Sequence, residues 1–197
     1  KILNNQNLMQ NIENPKRQEY LPTVLTKEEV GKLINSSTGK SKLIYYSEAV
    51  LERVAKATSD GISQFIKNQK GKLAMMFVPA DNLAAVGEYT RRAIRNLGMF
   101  TGGPGILHND KLKQQSIGVM QDTRPHFLVG NPAQLGALVQ YAKTQQVALN
   151  TLGIKYILST SEVLGDKARN HFEKQFGAKV FEGGGMTEVG WSTMECA

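Results

Sequence analysis

From residue 73 onward the chain alternates short apolar runs with segments of helical period, and this constrains the fold more than any other feature. Residues 73–79 are an apolar run of strand length. Residues 82–97 carry Val86, Tyr89, Ala93, Ile94 and Leu97 at helical spacing, and Gly98 stops the pattern. Residues 99–116 hold Gly102-Gly103-Pro104-Gly105 and read as loop, and residues 126–129 as a short strand. Asn131-Pro132 opens a helix with a cap residue and a first-turn Pro, and Leu135, Leu138, Val139 and Ala142 form its buried stripe. Residues 154–158 are a strand, residues 164–176 a helix ended by Gly177, and residues 179–181 a last strand running into a glycine turn. Continuous apolar strands alternating with helices predict an α/β fold, a mostly parallel sheet with helices on both faces.

Upstream the pattern is less regular. Residues 1–20 are polar and Asn/Gln-rich and read as a poorly packed N-terminal arm. The α/β domain then spans residues 21–197. Residues 21–35 read as an extended segment and a short helix, with Thr26 as N-cap and Glu29 three residues later. Residues 43–46 look like a strand. Ser47 caps a long helix with Val50, Val54, Ala57 and Phe65 near one face.

In a parallel sheet ligands bind beyond the carboxyl ends of the strands. Those ends carry Pro79-Ala80-Asp81, Gly130-Asn131, Ser159-Thr160-Ser161-Glu162 and Gly183-Gly184-Gly185, all rich in small and hydroxyl residues. Ser36-Ser37-Thr38-Gly39-Lys40 offers three hydroxyls, a run of backbone N–H groups and a cation, a set that can wrap phosphate oxygens. It is not a G-x-x-x-x-G-K-[ST] loop, because Ile34 stands where the first glycine is required, and the order of flanking elements is reversed. Gly183, Gly184 and Gly185 let a backbone approach a ligand closely, and Thr187 and Glu188 after them can meet a phosphate and its Mg²⁺. Glu162 is either a helix-start carboxylate or a site residue. Together the two motifs suggest a site for a nucleoside triphosphate.

Composition removes several alternatives. The three histidines lie at no metal-ligand spacing, and there is no G-x-S-x-G turn for a serine nucleophile. The single cysteine, Cys196, rules out an internal disulfide and fits a reducing, cytoplasmic setting. No run approaches the roughly 18–20 apolar residues of a membrane span. Net charge is +7, from 24 Lys and Arg against 17 Asp and Glu. Lys67, Lys70 and Lys72 are the nearest thing to a basic cluster, either a solvated helix end and loop or an attractor of polyanions. Aromatics are not interleaved with the basic residues, so a nucleic-acid platform is not expected. Trp191 and the methionines read as core or interface filling.

With these motifs in order, the chain resembles the adenylate-forming (AMP-forming) ligase superfamily, closest to its phenylacetate–coenzyme A ligase branch. The resemblance rests on Leu21-Pro22 followed by residues 25–30, the turn at residues 35–41 followed by Tyr46-Ser47, and Thr160-Ser161-Glu162-Val163 before a helix. It continues through Val180-Phe181, Gly184-Gly185-Met186-Thr187-Glu188 and Met194-Glu195-Cys196. The resemblance implies a portion of the N-terminal domain of an enzyme that activates a carboxylic acid, aromatic or fatty, as acyl-adenylate and passes it to a thiol such as that of coenzyme A. Implied cofactors are ATP, Mg²⁺ and coenzyme A. Ser36, Ser37, Thr38, Gly39 and Lys40 would cradle the β- and γ-phosphates. Thr187 would contact the α-phosphate, and Glu188 would hold Mg²⁺. Ser161 and Glu162, with Gly183, Gly184, Gly185 and Met186, would line the adenosine site. Lys40, Thr187 and Glu188 are the implied catalytic set.

The chain departs from the family pattern at Ser36, where a glycine is usual, at Ser41, where a proline is usual, and at Gly184, where an aromatic residue flanks adenine. The last would cost about 1–3 kcal/mol of stacking. The family's later ribose-binding Asp, its hinge and its small C-terminal domain have no counterpart in residues 1–197, so the expectation is a fragment or a reduced relative with little turnover alone. The expected partners of that surface are the C-terminal domain or a second copy. Two rival readings are an acyl-protein synthetase-like transferase acting through Cys196 and a non-catalytic α/β scaffold.

Overall fold

The computed structural model describes residues 31–35, 42–79, 85–186 and 189–195. Five of the strands form a parallel array. They are β3 (Leu73–Phe77), β4 (Phe100–Gly102), β5 (Phe127–Gly130), β6 (Tyr156–Thr160) and β7 (Lys179–Met186), and β8 (Gly190–Met194) pairs antiparallel with β7. The order across the sheet is β4-β3-β5-β6-β7-β8. Helices α1 (Glu48–Ser63), α2 (Ala85–Asn96), α3 (Asp110–Thr123), α4 (Pro132–Thr144) and α5 (Asp166–Phe176) fall between the strands.

The two sheet faces follow from strand alternation. Ala74, Met76, Phe127, Val129, Leu158 and Phe181 pack with Ile62 of α1 and Ile94 of α2. Met75, Phe77, Leu128, Ile157 and Val180 face the other way, onto Ile117, Leu135, Leu138, Phe172 and Phe176 of α3, α4 and α5. The predicted doubly covered parallel sheet is therefore present. The ring of Phe65, just past α1, stacks on Phe181 with centroids 3.9 Å apart. Arg92 of α2 donates to Glu88 on its own helix and to Glu48 and Glu52 of α1. These exposed pairs orient α1 against α2 and each adds little stability.

Helix ends match the sequence signals. Ser47 accepts from the Val50 N–H and Asn131 from the Gln134 N–H, and Gly177 ends α5 in the left-handed region at φ 63°. The stripe expected of α4 is buried in full. On α1 the buried residues are Leu51, Ala55, Thr58, Ser59 and Ile62, and Ala57 is exposed, so the expected face is displaced around the helix.

Three expectations are corrected. Residues 31–35 are not helical: Gly31–Asn35 is strand β1, paired antiparallel along its length with β2 (Lys42–Tyr46). A helix this short is marginal in water, whereas the hairpin pairs its backbone groups. Residues 99–116 are not all loop, since they contain β4 and the first half of α3. The apolar stripe of α3 is thin, with only Ser116, Ile117 and Met120 buried. Asn109 caps α3, accepting from the Leu112 N–H at 2.9 Å. Thirdly, the glycines after Phe181 are strand, not turn, because β7 runs on through Met186. Residues 1–20, Thr26 and Glu29 lie outside the described residues.

Phe176 is fully buried beneath the sheet, and Val163 is 90% exposed. Phe176→Ala should lower unfolding stability by about 3–5 kcal/mol in urea titrations, whereas Val163→Ala should change it by less than about 0.5 kcal/mol.

Candidate active site

Because β3 to β7 run parallel, their carboxyl ends share one edge of the sheet. Thr160 is paired with Gly183, which sets Ser161 and Glu162 beside the glycines of β7. Ser161 has φ 71°, a left-handed conformation uncommon outside glycine, and both Ser161 and Glu162 are exposed. Such strain at a strand end needs support from its surroundings.

Glu182 provides that support. Its Oε1 accepts from the Leu164 N–H at 3.0 Å, which pins the segment after β6 to β7. Arg169 of α5 stands 3.9 Å from Glu182 and donates to Glu195 at 2.9 Å and to the Val180 carbonyl at 2.7 Å. Glu195 in turn accepts from the Glu182 N–H. The end of β8, the start of α5 and the loop after β6 are thus held as one unit. Sequence reasoning gave Glu182, Arg169 and Glu195 no role. An acidic residue directly before the glycines was the available signal.

The glycines have a structural cause of their own. A Cβ at Gly183 would fall 1.9 Å from the Trp191 ring, and one at Gly185 would fall 2.4 Å from the Gly190 carbonyl oxygen. The pairing of β7 with β8 shifts register between Gly184 and Gly185, as glycine-containing strands do at bulges. Trp191 occupies the space over Gly183 and donates from Nε1 to Thr90 Oγ1 at 3.1 Å. Gly184 differs, for among the described residues its Cβ would approach only Thr193 Oγ1, at 2.8 Å, the end of a side chain that can rotate. Gly183 and Gly185 are thus required by close packing within the sheet, a constraint that is weaker at Gly184. Met186 is exposed at the end of the strand.

Elsewhere along the edge, Asn131 caps α4, and Gln134 accepts from the Leu107 N–H, tying the loop after β4 to the start of α4. Gly103, at φ 140°, lies so close to the Met76 backbone that a Cβ would meet its carbonyl oxygen at 2.2 Å. Ser159 is fully buried at the end of β6, and its hydroxyl has no hydrogen-bond partner among the described residues.

Of the predicted site residues, Ser161, Glu162, Gly183, Gly184, Gly185 and Met186 come together at this edge. Ser36, Ser37, Thr38, Gly39 and Lys40 lie outside the described residues, between β1 and β2. Thr187, Glu188 and Cys196 also lie outside them. Among the described residues no group of three or more His, Cys, Asp or Glu is placed to hold a metal ion. No described helix is long and apolar enough to cross a membrane.

No protein-family model and no curated protein matches the sequence. Solved structures do match in shape. An open conformation of 2-hydroxyisobutyryl-CoA ligase, in complex with 2-HIB-AMP and CoA, has a TM-score of 0.73 at 16% identity over 88% of this chain and 41% of that one. This chain has the fold of a segment of that ligase. A benzoate CoA ligase from Burkholderia xenovorans LB400 gives 0.64 at 14% identity, over 89% of this chain and 34% of its own. The anthranilate CoA ligase AuaEII, in complex with anthranoyl-AMP, gives 0.63 at 16% identity over 86% and 33%. The chain thus spans about two fifths or less of the length of these enzymes.

The contrast between neighbouring glycines is testable. Gly183→Ala should displace Trp191 and cost about 3 kcal/mol, while Gly184→Ala should stay within about 1 kcal/mol of the parent. Urea unfolding followed by Trp191 fluorescence measures both; equal losses would contradict this account of β7.

Proposed function

We propose that this chain is the nucleotide- and acyl-binding part of an ATP-dependent, AMP-forming ligase. The enzyme would activate a carboxylic acid as its acyl-adenylate and transfer the acyl group to a thiol, that of coenzyme A. The motif pattern favours the phenylacetate–coenzyme A ligase branch, with an aromatic or fatty acid as substrate. One observation carries the reading: Ser161-Glu162 and Gly183-Gly184 adjoin at the carboxyl edge of a sheet whose fold is that of acid–CoA ligases.

Each residue then has a physical task. Ser161 and Glu162, held by Glu182 through the Leu164 N–H, line one wall of the adenosine site, and Gly184 lines the other. The connection between β1 and β2 carries Ser36, Ser37, Thr38, Gly39 and Lys40, whose hydroxyls, N–H groups and ammonium bind and orient the β- and γ-phosphates. It is flanked by the antiparallel strands β1 and β2, unlike the strand-then-helix flanks of the G-x-x-x-x-G-K-[ST] type. Thr187 contacts the α-phosphate, and Glu188 supplies an oxygen ligand to Mg²⁺. Charge neutralisation and in-line positioning provide most of the catalysis in displacements at phosphorus.

Calorimetric titration with Mg-ATP tests the assignment directly. Lys40→Ala and Glu188→Ala should each weaken binding by about tenfold or more, corresponding to loss of one charge-assisted contact. Parent-like affinity in both variants would refute the nucleotide site.

A further inference from the structure

The opposite edge of the sheet carries a second set of polar groups. Parallel pairing gathers the residues that precede each strand as surely as those that follow it. His126 donates its N–H to the Leu73 carbonyl, Lys155 to the His126 carbonyl, and Lys179 to the Lys155 carbonyl. Lys72, His126, Lys155 and Lys179 therefore stand at the starts of β3, β5, β6 and β7, four neighbours in the sheet, about 4.8 Å apart from strand to strand.

A groove of about 490 Å³ opens here, lined by Gln69, His126, Lys155, Tyr156, Glu173 and Lys179 among others. Among the described residues, Lys72, Lys155 and Lys179 have no carboxylate partner. The one carboxylate in the lining, Glu173, accepts from the Val180 N–H at 3.1 Å. His126 is held below its ordinary pKa, first by burial and then by Lys72 and Lys155. Gln69 borders the groove with its Nε2 donating to the Lys67 carbonyl at 2.7 Å, and its Oε1 is buried. Two lysines and a half-buried imidazole suit a small, multiply charged anion.

We propose that the groove at the amino-terminal edge of the sheet, bordered by His126, Lys155 and Lys179, binds a small diphosphate-type anion. Lys155 and Lys179 neutralise its charge, and the His126 imidazole stands beside it. The Glu173 carboxylate in the lining adds a negative charge that disfavours an extended polyanion. This site lies at the opposite end of the strands from the proposed nucleotide site and stands or falls independently of it.

Inorganic pyrophosphate is the probe, and the His126 Cε1–H resonance is the local reporter, assigned by its loss in His126→Gln. At physiological salt, pyrophosphate should shift that resonance saturably and raise the pKa of His126, since a bound anion offsets Lys72 and Lys155. The double variant Lys155→Ala/Lys179→Ala, changed at exposed positions that leave the fold intact by circular dichroism, should weaken the response by about tenfold or more. Lys40→Ala should leave it unchanged, which separates this groove from the motif at residues 36–40. An unmoved His126 resonance, or equal affinity in the double variant, would overturn the proposal. So would binding of a single-stranded oligonucleotide through these lysines without binding of pyrophosphate.

Discussion

The structure depends on one constraint, the burial of β3, β5, β6 and β7 on both faces. A strand with water on neither side has to pair its backbone laterally and present apolar residues at successive positions. Met75, Met76 and Phe77, or Leu128 and Val129, meet that demand, alternating between the α1–α2 face and the α3–α5 face. Parallel pairing follows because each strand is joined to the next through a helix. Parallel pairing in turn sorts all strand starts to one edge and all strand ends to the other. Two groups of described residues, Ser161–Glu162 with Gly183–Gly184 and Lys155–Lys179 with His126, follow from that sorting.

This also explains what could be read from the chain. Where an element lies in the parallel core its apolar run or stripe is complete, so β5, β6, α4 and α5 were legible within a few residues. Where an element sits at the periphery the pattern thins. β4 is a three-residue edge strand with Phe100 exposed, and α3 covers the sheet with a narrow stripe. β1 was misread because hairpin pairing is a relation between two segments, and neither segment alone displays it.

The site was legible as a set of segments but not as a mechanism of support. Spacing placed Ser161, Glu162 and the glycines at strand ends, and the register of Thr160 with Gly183 makes them neighbours. Sequence could not reveal that Glu182 reaches across to the Leu164 N–H, or that Arg169 and Glu195 brace it, since those contacts join four separate elements. Nor could it divide the three glycines by role. That division needs Trp191, which fixes Gly183 by contact, while the bulge fixes Gly185.

Trp191 and Gly184 together bear on the departure from the family pattern. An aromatic residue is usual at position 184, where it flanks adenine by resemblance, and here the position has no side chain. Trp191 does not replace it, because successive residues of a strand face opposite ways and the indole covers Gly183, on the α1–α2 side. Among the described residues, a Cβ at Gly184 would meet within 4 Å the hydroxyl of Thr193 and no ring atom. If adenine binds there, the edge contacts from Ser161 and Glu162 have to carry more of its recognition than stacking does. Hydrogen-bonding recognition depends on the loop being held in one conformation, and φ 71° at Ser161 is not a conformation the chain adopts freely. Under the proposed reading, the bracing of the loop by Glu182, Arg169 and Glu195 gives adenine a fixed polar wall in place of a stacking surface.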